Sequence, residues 1–490
     1  MRHSGVLMHI SSLPGEYGIG KMGKEAYAFV DWLKEAGQHY WQILPLSPTS
    51  YGDSPYQSFS IFAGNPYFID LETLEADGLL EADEYKNISW VREEEYVDYS
   101  IIYENLWDVL KIAYNRFKPD SDYKEFYKNN KSWLDGYGLF MALKEENGGK
   151  AWYDWKWDLV MCRDFAVKDA KERLSEQIDF YVFLQYEFYK QWAKLKSYAN
   201  ENGIEIIGDI PIYCALDSVD VWENPSLFDL DEDKAPVNVA GCPPDGYAPQ
   251  GQLWGNPIYD WEEMKSQGYK WWINRIAFAS KIYDVVRIDH FRGFDTFYSI
   301  PAKDETAENG VWEKGCGIDM FNAVKKELGD VRIIAEDLGF ITESVRKLLD
   351  DSGFPGMKML EFGFAPDAKS EYLPCNFTNT NCVVYTSTHD SDTVLGWYTA
   401  CADDVKSFIN EYIGAKDESD AVWKFIKCAW LTIGDTAITQ MQEILELDNN
   451  ARMNVPSTCG LNWRWRMKKG ANTEKLAKKL YDITKLSGRL

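Results

Sequence analysis

Val286-Arg287-Ile288-Asp289-His290-Phe291-Arg292-Gly293 decides how this chain reads. Asp289 stands at the polar end of the apolar run from Tyr283 to Ile288. The pattern recurs twice: Val331 to Ala335 runs into Glu336-Asp337-Leu338-Gly339, and Cys382 to Thr386 into Ser387-Thr388-His389-Asp390. Runs of that length and β-branched content read as buried strands of a parallel sheet. An acidic residue where such a strand ends is where (β/α) barrels keep their chemistry. Three carboxylates delivered to one face form a constellation for splitting acetals.

Working outward, eight candidate strands follow in order at 6–10, 40–46, 204–210, 284–288, 331–335, 357–362, 383–386 and 437–445. Amphipathic stretches such as 24–36, 186–200 and 342–350 separate them. This alternation is the signature of βα units, and eight of them close a barrel. The expected fold is therefore α/β, a (β/α)8 TIM barrel occupying 1–490 as a single catalytic domain. Two gaps exceed ordinary connections. Residues 71–190, charged and rich in aromatics, read as a mainly helical insertion. Residues 214–260, rich in Pro, Gly, Asp and Asn, read as a loop-rich lid over the strand ends. The tail 468–490 is basic and helical, leaving no room for a C-terminal β-sandwich.

Composition narrows the function. The net charge of −26 argues against nucleic acid or an anionic membrane as partner, whereas a neutral substrate is indifferent to it. No apolar run is long enough to span a membrane, and the N-terminus reads as a strand rather than a signal peptide. Nine scattered cysteines without a CxxC pair fit free thiols in a reducing cytoplasm. The five histidines form no metal-ligand pair at helical spacing. Aromatic residues make up 15% of the chain, which suits stacking against sugar rings, although core and helix packing accounts for most of them.

Retaining cleavage of a glycosidic bond needs a carboxylate nucleophile and a second carboxylic acid that first gives and then takes a proton. Asp289 is the candidate nucleophile. Arg287, two residues earlier on the same side of the strand, keeps it ionised. Glu336 is the candidate acid/base, its proton held by neighbouring negative charge. Asp390, beside His389, is the candidate stabiliser of the positive transition state. A lone Asp at a strand end is more often a helix cap; three of them, with Arg and His at fixed offsets, are not. His290 suits either a sugar hydroxyl or support of the strand end. Asp337 alternates to the other face and reads as structural.

The chain resembles the 4-α-glucanotransferases of glycoside hydrolase family 77, within the α-amylase clan. The matching segments run nearly end to end. They include Arg2-His3-Ser4-Gly5-Val6-Leu7, Trp41-Gln42-Ile43-Leu44-Pro45-Leu46 and Asp53-Ser54-Pro55-Tyr56-Gln57-Ser58. Gly208-Asp209-Ile210-Pro211, Gly251-Gln252-Leu253-Trp254-Gly255-Asn256-Pro257 and Asn462-Trp463-Arg464-Trp465-Arg466 continue the series. The resemblance implies transfer of α-1,4-glucan segments among maltooligosaccharides, in the cytoplasm, with no metal or organic cofactor. It assigns Asp289, Glu336 and Asp390 the same roles as above. It places Arg287 and His389 against the nucleophile and the sugar before the cut, with Asp209 near that subsite. Tyr56, Ser54, Trp254, Tyr247 and Asn462 match positions along the substrate groove. A hydrolase of the same clan shares the triad, and a silent glucan-binding protein is the third reading. The sequence departs from the family pattern in 241–250, where Gly246-Tyr247 precedes Ala248-Pro249, and at Ser457 and Leu461, which stand where relatives usually carry glycine. Oligomeric state cannot be read from the sequence.

Overall fold

The computed structural model describes residues 2–50, 52–244 and 248–490. Eight parallel strands form its centre: β1 (His3–Leu7), β2 (Tyr40–Gln42), β3 (Glu205–Ile210), β4 (Val285–Ile288), β5 (Ile333–Ala335), β6 (Gly356–Met359), β7 (Cys382–Tyr385) and β8 (Thr436–Gln440). Each pairs with its sequence neighbour except β5 with β6, and β8 pairs with β1. The seam between β5 and β6 is bridged by the Ala335 N–H donating to the Pro355 carbonyl at 2.9 Å. The result is the expected (β/α)8 barrel.

Local sequence explains the elements. The strands are short and buried on both faces, as all-parallel sheets require. In Lys24–Glu35, Ala26, Phe29, Val30 and Leu33 recur at helical spacing and turn one stripe inward. The helix Glu343–Ser352 starts where the Thr342 side chain caps the Val345 N–H and stops at Gly353, whose φ of 71° suits glycine. Gly208 in β3 has no substitute, because a Cβ there would lie 2.1 Å from the Tyr283 ring.

Strand boundaries differ from the sequence reading at both ends of the barrel. The first strand ends at Leu7, and Ile10–Ser12 is a turn of 3₁₀ helix. The last ends at Gln440, and Met441–Ile444 is helical. In both places the chain stays buried past the strand, so hydrophobicity alone does not mark where the ladder stops.

Between β2 and β3 lie the helices Tyr99–Arg116, Ser121–Glu146, Asp164–Arg173 and Ser175–Glu201, with shorter ones between. Residue 190 falls inside the continuous helix Ser175–Glu201, which joins this region to the barrel without a break. Trp155 is buried against Phe140 and Trp222, and Trp152 is buried with its indole N–H donating to the Leu216 carbonyl, whereas Trp157 is exposed. The segment 214–260 is less loop-like than its composition suggests. It contributes the strands Asn238–Cys242 and Gln252–Pro257. These join Thr296–Pro301 and Val311–Lys314 in a four-stranded antiparallel sheet. The last two strands come from the excursion after β4, and the sheet closes over a small core of Val239, Tyr298, Ile300 and Ala307. Its strands are short, and Gly and Pro punctuate them, which hides them from a periodicity reading. No described helix is long and apolar enough to cross a membrane.

One side chain fastens the underside of the barrel. Arg489, fully buried, donates to the carbonyls of Trp430, His3, Asp435, Thr432 and Gly434 at 2.7–3.2 Å. It thereby ties the segment after the helix Glu474–Leu486 to the entries of β1 and β8. Removing it strands buried acceptors, each worth about 1–3 kcal/mol when left unmade. Arg489→Ala is expected to lower unfolding free energy in urea by roughly 3 kcal/mol or more; a loss below about 1 kcal/mol would show the staple to be dispensable.

Candidate active site

The site grows from the β3–β4 ladder. Their register sets Asp209 beside Arg287, and alternation puts Asp289 on the same side two residues later. Arg287 Nη1 lies 2.5 Å from Asp209 Oδ2 and 3.0 Å from Asp289 Oδ1. Arg287 and Asp209 are buried, whereas 27% of the Asp289 side chain is still exposed. His290 then turns the chain with a φ of 54°, a left-handed conformation few non-glycine residues adopt. Its ring meets Trp254 edge to face at 4.8 Å. His290 Nε2 is buried with no hydrogen-bond partner.

Glu336 follows β5 directly. Its two oxygens accept the backbone N–H groups of His290 and Leu338, each at 2.8 Å. The residue after the candidate nucleophile thus holds the candidate acid. Asp337 turns the other way and accepts the Met357 N–H at 2.6 Å, a bond between neighbouring strand ends.

Beyond β7, His389 Nε2 lies 3.3 Å from Asp390 Oδ2 and 2.9 Å from the Tyr56 hydroxyl. The Tyr56 ring stacks on His389 with centroids 5.3 Å apart, and its hydroxyl donates to Asp209 Oδ2 at 2.9 Å. Asn454 Nδ2 donates to Asp390 Oδ1 at 2.6 Å, and Arg452 to the Asp390 carbonyl at 2.7 Å.

These groups border a cleft of about 600 Å³. Asp289, Asp390, Tyr56, Ser54, Trp254 and Asn462 line it; Glu336 sits behind His290, and Asp209, Arg287 and His389 lie beneath. Ser54 Oγ accepts the Tyr56 N–H at 3.2 Å, which shapes the turn that carries the tyrosine. The Asn462 amide is taken up by its own loop, bonding Val455 and Thr458. Tyr247 lies outside the described residues. Ser457 holds a φ of 65°, the glycine-like geometry, without being glycine. Sequence reasoning missed Asn454, Arg452 and Trp463 as partners of the site. Their signal lay in the Arg452–Asn454 run and the aromatic after Asn462, which no strand end announces. Among the described residues no group of three or more His, Cys, Asp or Glu side chains is placed to hold a metal ion, and no two cysteines form a disulfide.

Electrostatics separates the three carboxyls. Burial pushes Asp289 up to about 6; Arg287 opposes it, and Asp209 and Asp390 add to it. Burial, and then the Asp289 charge, push Glu336 up to about 7. Burial is the larger cause at Glu336, and the neighbouring negative charge expected from the sequence is the second. At Asp390 burial works upward, but His389 and Asn454 outweigh it and hold the carboxyl well below the usual range. His389 is lowered by burial and raised more by Asp390, so it leans to its cationic form. His290 is driven down to about 3 by burial and Arg292 and is neutral.

The family described as 4-alpha-glucanotransferase, glycoside hydrolase family 77, matches residues 8–472. A 4-alpha-glucanotransferase of Clostridium butyricum is 47% identical over 98% of this chain and 100% of its own length. One from Streptococcus pneumoniae is 48% identical over 100% of this chain and 98% of its own. A solved structure of the amylomaltase from Streptococcus agalactiae, in complex with acarbose, superposes with a TM-score of 0.98 at 43% identity, covering both chains fully. The match runs through every strand end that carries a carboxylate of the cleft, and the chain belongs to the 4-alpha-glucanotransferases of glycoside hydrolase family 77.

Proposed function

We propose that this 4-alpha-glucanotransferase works by a retaining double displacement at the cleft between Asp289 and Asp390. Asp289 attacks the anomeric carbon of an α-1,4-glucan while Glu336 gives its proton to the departing 4-oxygen. A glycosyl ester on Asp289 results. Glu336, now a carboxylate, takes the proton from the 4-hydroxyl of an incoming glucan, which displaces Asp289 and restores the original configuration. Asp390, kept ionised by His389, stabilises the positive charge at the ring in both steps. The observation that carries this reading is the division of protons: Asp390 held low, Glu336 held near neutrality, and Arg287 against Asp289. Each Glu336 oxygen retains one lone-pair direction beyond its N–H bond for the proton it must carry.

The substrate class is linear α-1,4-glucans and maltooligosaccharides. A neutral cleft wall of Tyr56, Trp254 and Trp463 supports it, as does the acarbose bound to the similar amylomaltase. We assign the groove positions to Tyr56, Ser54, Trp254, Tyr247 and Asn462, with Arg287, His389 and Asp209 beneath the sugar before the cut. We treat 1–490 as one catalytic unit with insertions 71–190 and 214–260, and we place the protein in the cytoplasm because its described cysteines form no disulfide. Water at about 55 M competes with the acceptor, and an oriented hydroxyl exceeds that in effective molarity. The Trp254 ring against His290 supplies one wall for that orientation.

Three measurements test the reading. Incubated with maltotriose, the protein is expected to release glucose together with maltopentaose and longer chains. Asp289→Asn is expected to reduce this by roughly 1000-fold or more. Glucose and maltose alone would make the protein a hydrolase, and unchanged maltotriose would refute both. In the second, Trp254→Ala is expected to raise the ratio of hydrolysis to transfer; an unaltered ratio removes Trp254 from acceptor orientation. The third concerns stability. Glu336 has its folded value raised from the ordinary 4.5 to about 7, so the unfolded chain ionises first as pH rises. Its proton stabilises the fold fully at low pH, and that contribution is lost between those values. Glu336→Gln does not titrate, so its unfolding midpoint should gain on the parent's from pH 4.5 to about 7 and then hold a constant lead. A gap that ignores pH would contradict the raised value.

A further inference from the structure

Asp390 lies five residues past the end of β7, in the segment that joins Tyr385 to the helix Val394–Ala400. No ladder holds it there. A carboxylate from the neighbouring strand end brackets this segment instead. Glu443, in the helix Met441–Ile444 just after β8, is completely buried. One of its oxygens accepts the Ser387 hydroxyl, and the other accepts the Val394 N–H at 2.9 Å. Ser387 Oγ also receives Gln440 Nε2 at 2.7 Å, and its single proton is the one given to Glu443. Glu443 thus grips both ends of a span whose middle carries His389 and Asp390, and it meets only donors.

A second carboxyl approaches from the other side. Glu361, in the turn Leu360–Phe362 after β6, is 7% exposed, and its Oε1 is buried without a partner. Burial and then the charge of Glu443 keep it well above the usual carboxylate range, against a hydrogen bond from Ser391. The segment is flanked by two buried acids of unequal role: Glu443 accepts at both oxygens from the two ends of the span, whereas Glu361 leaves one oxygen without a partner among the described residues.

We propose that Glu443 is a positioning residue for the transfer reaction, whose two carboxyl oxygens fix the Ser387–Val394 span and so set where Asp390 and His389 stand in the cleft. This rests on the reading of Asp390 as transition-state stabiliser. Replacing one Glu443 oxygen by an amide sets a donor against either Ser387 or Val394, both of which donate. A shift of the span by a fraction of an ångström then weakens transition-state contacts more than ground-state binding.

The test compares the parent with Glu443→Gln, Glu361→Gln and Asp390→Asn, using maltotriose and α-maltosyl fluoride as donors. Fluoride leaves without a proton from Glu336, so a deficit that persists with it arises on the Asp390 side. Glu443→Gln is expected to lower kcat at least about 10-fold on both donors with KM within about twofold, whereas Glu361→Gln stays within about twofold throughout. The proposal is overturned if Glu443→Gln keeps the parent's kcat, if fluoride rescues it, or if Glu361→Gln loses as much, since a merely structural role would affect both acids. Asp390→Asn separates the two levels. Full activity there refutes the stabiliser role itself, while its loss beside a normal Glu443→Gln refutes only the positioning. Should Glu443→Gln fail to fold, Ser387→Ala removes one end of the grip: a kcat loss of about threefold or more at constant KM supports the proposal, and a parent-like kcat overturns it.

Discussion

The Arg287 guanidinium, buried between Asp209 and Asp289, is the constraint on which the rest of the site depends. A charge taken out of water persists only when paired, and breaking such a pair leaves its partner uncompensated. Arg287 therefore fixes Asp209 as firmly as Asp209 fixes it. From Asp209 the order propagates: Tyr56 donates to the same oxygen, and His389 bonds the Tyr56 hydroxyl from beneath Asp390. Groups that leave the barrel at β2, β3, β4 and β7 are joined by one run of hydrogen bonds. Because its members polarise one another, displacing any one is felt at both Asp289 and Asp390.

The same network sets the charge of the site. Arg287 holds a fixed positive charge between Asp209 and Asp289, and Asp390 draws His389 towards its cationic form. An ionised Glu336 would add repulsion against Asp289 in a site of low polarity. Burial behind His290 resolves this by holding Glu336 up, while Asp390 escapes the same fate only because His389 and Asn454 attend it. The contrast between the two carboxyls is in large part a contrast of partners.

Much of this was legible in the sequence because the barrel writes its geometry locally. Short apolar runs ended by Asp289, Glu336 and the Thr388-His389-Asp390 stretch gave the strands and the carboxylates at their ends. Alternation gave Arg287 beside Asp289 and turned Asp337 away. What stayed hidden depends on long-range contact. Nothing in Asn454, Arg452 or Glu443 announces that it will meet the β7 segment, since their partners lie more than forty residues away in sequence. The four-stranded sheet beside the cleft draws its halves from either side of β4, so neither half reads as a unit. The Asn462 motif was visible, but not that its amide serves its own loop. Strand ends were blurred wherever the chain stayed buried after the ladder, as at Ile10 and Met441.

Distance from the ladder orders these cases. Asp209 and Arg287 lie within strands, so the sheet's hydrogen bonds locate them without help. Asp289 and Glu336 stand one residue past β4 and β5, and a backbone N–H or one guanidinium completes their placement. Asp390 stands five residues past β7, where backbone freedom is no longer limited by a neighbouring strand. Its placement needs a tether at each part of the span: Glu443 at the two ends, Arg452 at the carbonyl and Asn454 at the carboxylate. The number of side chains enlisted rises as the ladder recedes. A barrel can therefore vary its far loops widely only if it varies their tethers in step, and a residue that touches no substrate can govern the reaction as surely as one that does.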